Sequence, residues 1–236
     1  MDIRELVSRR SDLSTFLVHL SRDTEAGDAR AALQSILTTH RIEARSVFGQ
    51  ARRRLMQQGV APQSQRCVCF TETPLEYTHL LLEDIENRNV HFRPYGIAVT
   101  KRLGRLKGIN PVWYLDITPG HDWLAANVDA ILDRSLADGA FTDPDVERLM
   151  PFIEQMGTYY NEQGHLVYRK EFWWEREWRR SGGHFVLPMK FIGLCPADEI
   201  AAFEQLALGE GYAVRFIDPR WGLEQIIARL ARIQCR

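Results

Sequence analysis

No stretch of the chain approaches the ~18 consecutive apolar residues of a membrane-spanning helix, and the charged opening Met1–Arg10 has no apolar core of the kind a secretory signal needs. Both absences lead to the expectation of a cytoplasmic protein without membrane contact. Cysteine is scarce, at Cys67, Cys69, Cys195 and Cys235. A single residue separates the first two and no second pair stands at zinc-site spacing, so the pattern argues against a structural metal and against a disulfide framework. Neither charge dominates: 30 Lys plus Arg stand against 31 Asp plus Glu, which excludes a polycation that coats nucleic acid or an anionic membrane by net charge alone. No G-x-G-x-x-G and no G-x-x-x-x-G-K-[ST] occurs, so neither a Rossmann dinucleotide site nor a P-loop is indicated. Internal repeats and low-complexity linkers are missing as well.

What is present is the composition of an ordinary globular protein, 45% hydrophobic and 26% charged over 236 residues, enough for one large domain or two small ones. Periodicity predicts a polar helix over Met1–Ser11 and a strand over Asp12–Leu20, with His19-Leu20-Ser21 at its end. Ala31, Leu33, Ile36 and Leu37 mark an amphipathic helix ending near His40. Gln65–Phe70 reads as the clearest strand, halted at Thr71-Glu72-Thr73-Pro74, where Thr73 predicts a helix cap and Pro74 its first turn. A strand running into a capped helix gathers backbone N–H groups at a loop suited to an anion. Tyr95–Thr100 and Val112–Ile117 read as further strands. From 121 to about 160 the pattern is helical, with Trp123, Leu124, Val128, Ile131 and Leu132 on one stripe. Strands over Phe185–Leu187, Phe191–Leu194 and Ala213–Ile217 alternate with helices over Ala197–Leu208 and Leu223–Ile233. Strand groups and helices alternate too irregularly for a doubly wound sheet, so residues 1–236 read as a single α+β domain with a helical insert over about 121–160.

Two basic clusters suit a phosphate-bearing partner such as nucleic acid: Arg52, Arg53 and Arg54, and Lys101, Arg102 and Arg105. The plainer reading of each is a solvated helix face.

The segment that asks for an explanation is Glu171-Phe172-Trp173-Trp174-Glu175-Arg176-Glu177-Trp178-Arg179-Arg180. Extended, it places Glu171, Trp173, Glu175, Glu177 and Arg179 on one face and the remaining aromatic and basic side chains on the other. A helix would instead align Glu171, Trp174, Glu175 and Trp178. The aromatics and the following Ser181-Gly182-Gly183 turn favour the strand. Carboxylates repeated along one face repel each other, so they are solvated, paired with arginine, or kept for chemistry.

Taken in order, His19-Leu20-Ser21, Ser35-Ile36-Leu37, Val68-Cys69-Phe70-Thr71-Glu72-Thr73-Pro74-Leu75, Tyr95-Gly96-Ile97 and Glu175-Arg176-Glu177-Trp178-Arg179 resemble the AbiGi family of bacterial abortive phage-infection proteins, labelled an antitoxin family. The resemblance covers nearly the whole chain. More loosely, the same series is similar to the DarT-type ADP-ribosyltransferases, which have a split, mainly antiparallel sheet flanked by helices and a cleft for NAD. That likeness implies NAD as substrate. His19 and Ser21 would contact it, Thr71, Thr73 and Tyr95 are further candidates to bind it, and Glu177 would be the catalytic acid with Glu175 the alternative. Tyr95 and Trp173 are candidates to stack on the nicotinamide or the acceptor. The DarT pattern carries an arginine near the segment that reads Phe70-Thr71-Glu72-Thr73-Pro74 here, and this chain departs from it.

Two functions of different class follow. The first is a phage-defence transferase that moves ADP-ribose from NAD to a nucleic-acid or protein acceptor, with Glu177 stabilising positive charge as nicotinamide leaves. The second is a non-catalytic antitoxin or partner-binding module, in which arginine and tryptophan around Glu177 meet a toxin or antitoxin protein partner. A carboxylate–metal nuclease built on Glu171, Glu175 and Glu177 ranks third, because no Asp or His joins them at a recognisable spacing, and no metal is expected.

Overall fold

The computed structural model describes residues 12–25, 27–85, 88, 90–161 and 163–231. The helix predicted over Met1–Ser11, together with Cys235, lies outside the described residues. In chain order the strands are β1 (Phe16–Arg22), β2 (Arg41–Glu43), β3 (Ser46–Val47), β4 (Arg66–Thr71), β5 (Phe92–Thr100), β6 (Asn110–Pro111), β7 (Trp113–Asp116), β8 (Leu136–Ala137), β9 (Ala140–Phe141), β10 (Ile153–Tyr160), β11 (Leu166–Lys170), β12 (Glu177–Ser181), β13 (His184–Val186), β14 (Ile192–Leu194) and β15 (Arg215–Ile217). The fold is α+β, with several sheets in which antiparallel pairing predominates. Two compact units divide the chain: Met1–Ile42, Phe70–Lys107 and Val186–Arg236 form the first, and Glu43–Cys69 with Gly108–Phe185 form the second.

The first unit is built on a sheet in the order β15-β14-β5-β1 with the end of β4 beyond it. Along β1 and β5 the register runs from Phe16 opposite Thr100 to Leu20 opposite Gly96 and shifts at Ser21, where the strand bulges. Gly96 is required there, since a Cβ would run into the carbonyl of His19 on the facing strand. Apolar side chains line both faces of this sheet, with Leu17, Val18, Leu20, Ile97, Ala98 and Val99 buried. The helix Ala29–Thr39 covers one of them. It begins at Asp28, whose carboxylate accepts the N–H of Ala31 at 2.7 Å, and ends at His40 in the left-handed region. Its buried residues Ala29, Leu33, Ile36 and Leu37 fall at helical spacing, and the fully buried Leu33 and Leu37 each contribute roughly 1.5–3 kcal/mol.

Strand β1 starts later than the sequence predicts. The hydroxyl of Ser14 accepts the N–H of Phe16 at 3.0 Å, a local bond that competes with the ladder. A second difference follows β4. The helix predicted to be capped by Thr73 is a 3-10 helix over Leu75–Leu82 with Pro74 at its cap. Thr73 stays outside because its N–H and its hydroxyl are both engaged by the hydroxyl of Thr71, at 3.2 and 2.8 Å.

In the second unit, β3 pairs with the start of β4 and β12 lies between β4 and β6. A separate three-stranded sheet runs β11-β10-β7, with β10 and β7 parallel. The core gathers Val47, Ala51, Leu55, Leu115, Ala125, Leu132, Val146, Met150 and Ile153. These come from β3, β7, β10, the helices Arg52–Gln57 (with its cap Ala51), Trp123–Ser135 and Pro144–Leu149, and the 3-10 turn Met150–Phe152. Helical structure over 121–160 is real only up to Phe152; Ile153–Tyr160 is the strand β10. Pro151 cannot continue the preceding helix, and Gly157, at φ +141°, brings the backbone of β10 against Asp116 and Thr118, where a Cβ would be crowded.

Candidate functional site

The ten-residue segment singled out in the sequence is not one strand. Trp173–Glu175 forms a single 3-10 turn, Arg176 takes a left-handed conformation at φ 48°, and β12 begins only at Glu177. Three bulky aromatics in a row and the left-handed Arg176 break the ladder at the point where the alternation predicts it to continue. Glu175 and Glu177 therefore do not stand on one face of a strand, and the carboxylate row does not exist. Glu171 is paired with Arg169 at 2.7 Å.

Glu177 is instead the end of a buried ionic cluster. From the same strand and the same face, Arg179 donates to it through Nε to Oε1 at 2.9 Å and through Nη2 to Oε2 at 2.7 Å. Arg179 is itself only 1% exposed. Its Nη2 also donates to Glu154 Oε1 at 2.8 Å, its Nη1 donates to the carbonyl of Pro151 at 2.7 Å, and the ring of Phe48 lies 4.7 Å from its guanidinium carbon. Glu154 accepts as well from the N–H of Gly49 at 3.2 Å and from Lys170 Nζ at 3.3 Å. Burial alone would lift the Glu154 carboxyl, yet the charges of Arg179 and Lys170 and their hydrogen bonds hold it below the ordinary glutamate range. Burial works against the charge of Arg179 too, and the two carboxylates outweigh it. Two carboxylates and a carbonyl take four of the five guanidinium N–H donors and a ring covers its face, and such pairing and hydrogen bonding is the condition for keeping a charge inside a protein.

The neighbours of the cluster are chemically quiet. Burial pushes the Cys67 thiol up to about 12 and lifts Cys69 well above its ordinary value, so neither is a thiolate nucleophile. Burial, followed by the charge of Glu177, raises the Tyr114 phenol. Among the described residues, no group of three or more His, Cys, Asp or Glu is placed to hold a metal ion.

His19, Ser21, Thr71, Thr73 and Tyr95 all belong to the first unit, and Glu175 and Glu177 to the second. Within the first unit, His19 lies opposite Ile97 and its ring is 5.7 Å from that of Phe70. Ser21 sits at the bulge of β1, with its hydroxyl buried and without a hydrogen-bond partner among the described residues. Thr71 and Thr73 bond to each other. Tyr95 donates to Glu199, which also accepts from Arg30, and its ring packs against Phe203. Burial opposes the ionised Glu199, and the bonds from Tyr95 and Arg30 hold its carboxyl low.

In each of the two basic clusters two arginines are exposed, as on a solvated helix face, and one cation is paired. Lys101 Nζ is 2.7 Å from the buried Glu72, which accounts for a carboxylate in that position, while Arg102 and Arg105 are exposed. Arg54 is paired with Asp129 at 2.9 Å and Asp133 at 2.7 Å, and Arg52 and Arg53 are exposed. Sequence reasoning missed Glu154, Phe48 and Glu72 as partners. Only the alternation that puts Glu177 and Arg179 on one face pointed toward the cluster.

No helix among the described residues is long and apolar enough to cross a membrane. A family model described as "Putative abortive phage resistance protein AbiGi, antitoxin" matches residues 34–193, a span that includes the whole ionic cluster. No curated protein and no solved structure matches the chain.

Proposed function

The chain belongs to the AbiGi family, and from that premise we propose that it serves abortive phage infection as an antitoxin that binds a toxin protein, without NAD chemistry. The observation that carries this reading is the state of Glu177. Both of its carboxylate oxygens are taken by the buried Arg179, so the acid that would grip a ribose and stabilise an oxocarbenium ion is spent on the protein's own interior. Glu175, the alternative acid, sits on a turn beside a left-handed arginine rather than on a strand. The second unit also exposes Trp113, Trp123 and Trp173 by 57, 69 and 56%. Tryptophan is enriched among residues that dominate binding energies, and these three are the contacts assigned to the toxin.

ADP-ribosyl transfer from NAD to a nucleic-acid or protein acceptor is the rival. One observation favours it: the Ser21 hydroxyl is buried without a hydrogen-bond partner among the described residues, as a group waiting for a polar ligand would be. The crowding of Glu177 weighs more, because a catalytic carboxylate must be free to meet the ribose hydroxyls.

Co-expression with the toxin protein of the same abortive-infection system tests the proposal. The expected result is restored growth with the wild-type chain and with Glu175→Gln, and loss of protection with Trp123→Ala plus Trp173→Ala. Protection that vanishes in Glu175→Gln while the tryptophan variant still protects would overturn it.

A further inference from the structure

We propose that a cleft in the second unit binds the phosphate groups of a nucleic-acid backbone, gripped by Arg52 and Arg53. The cleft is open and has a volume of about 730 Å³, within the roughly 300–1,000 Å³ range of ligand sites. Its wall is the short helix Arg52–Gln57. Ala51 and Leu55 anchor that helix by full burial in the core, which leaves its arginines on the solvent side.

The charges in the cleft are unequally committed. Asp129 accepts from both Arg54 and Gln50 at 2.9 Å, and Glu154 is engaged by Arg179, Gly49 and Lys170. Glu154 is therefore neutralised from within, and Asp129 shares Arg54 with Asp133, which leaves one negative charge against the two of Arg52 and Arg53. Arg52 and Arg53 line the same cleft, and neither is paired with a carboxylate among the described residues. The surplus positive charge has nowhere to go but to a ligand or to solvent.

The floor is held in shape before anything binds. Gly49 has φ +85°, and a Cβ there would collide with the carbonyl of Met150, which also accepts the N–H of Gln50 at 3.1 Å. Two guanidinium forks on a fixed support suit the planar, bidentate recognition of phosphate oxygens.

The lining also selects among polyanions. Met56 is its one apolar side chain and no aromatic ring is present. A peptide would find almost no apolar anchor there, and bases would find no ring to stack on. A hydrated, regularly charged backbone needs neither, so the contact is to phosphates and carries no sequence information. This inference does not rest on the antitoxin reading, since it concerns the chain without its toxin.

The test is fluorescence anisotropy of the full chain with a labelled single-stranded RNA and a labelled DNA duplex of equal length. Wild type is expected to bind at least one of them, with affinity falling about 10- to 40-fold between roughly 50 and 200 mM salt, as for two or three phosphate contacts. Arg52→Ala plus Arg53→Ala is expected to weaken binding at least about tenfold and to flatten the salt dependence by about two contacts. Arg102→Ala plus Arg105→Ala, on the first unit, is expected to leave it unchanged. Absence of binding at low salt would overturn the proposal, as would binding that survives the first double variant or is lost equally in the second. A labelled polyglutamate that binds through Arg52 and Arg53 when neither nucleic acid does would overturn it in favour of an acidic peptide.

Discussion

In the first unit, charge is handled in small separate groups: Arg30 and Tyr95 share Glu199, Lys101 meets the buried Glu72, and the buried Arg88 donates to the backbone carbonyls of Leu81 and Glu83. The second unit buries a guanidinium between two carboxylates, where Arg179 joins Glu177 on β12 to Glu154 on β10. The lesson of the difference concerns function as much as stability. A charged residue that the sequence offers as catalytic can be the keystone of a core, and only the identity of its partners tells the two apart.

The largest effect that would break this comparison comes from Arg179→Ala, which leaves two carboxylates facing each other in the interior. A loss of about 3–5 kcal/mol is expected. Trp113, Trp123, Trp173, Trp174 and Trp178 all lie in the second unit, so urea unfolding followed by tryptophan fluorescence reports on it directly. A midpoint equal to wild type would contradict the structural role of the cluster.

Glu154→Gln comes next and sharpens the argument by its pH dependence. Its folded carboxyl is held low, so its stabilising contribution is full above the unfolded value of about 4.3 and is lost as pH falls through the folded value. The gap between wild type and Glu154→Gln should be about 1.5–3 kcal/mol near neutral pH and should narrow only below about pH 4.3. A gap that widens on acidification would reverse the sign and refute the pairing. The smallest effect is expected in the first unit. Tyr95→Phe removes a single hydrogen bond to Glu199, for about 0.5–1.5 kcal/mol, and circular dichroism melts should register it as a modest shift with no change of fold.

The sequence made the local elements legible where a local signal existed. The spacing of Ala31, Leu33, Ile36 and Leu37 was enough for the helix Ala29–Thr39. The apolar runs were enough for β4 and β5. Strand β10 was not legible, because its apolar residues also fit a helix and the parallel pairing with β7 that decides the matter is distant in the chain. The turn at Trp173–Glu175 was hidden by aromatics that favour strands and by Arg176, whose left-handed backbone no sequence rule anticipates in an arginine. At the candidate site, Glu177 and Arg179 were visibly on one face. Their shared partner Glu154 was not, since it lies on the strand that read as helix. Lys101 looked like a free cation for the same reason, its partner Glu72 being placed by tertiary structure.

The central claim is that Glu177 is committed to Arg179 and not to NAD. Nicotinamide release from NAD by the purified chain, with and without RNA, DNA or cell lysate, measured for wild type and Glu177→Gln, tests it most directly. The account predicts no release above background from either protein, with Glu177→Gln less stable than wild type. Release by wild type that a folded Glu177→Gln abolishes would contradict it and restore the transferase.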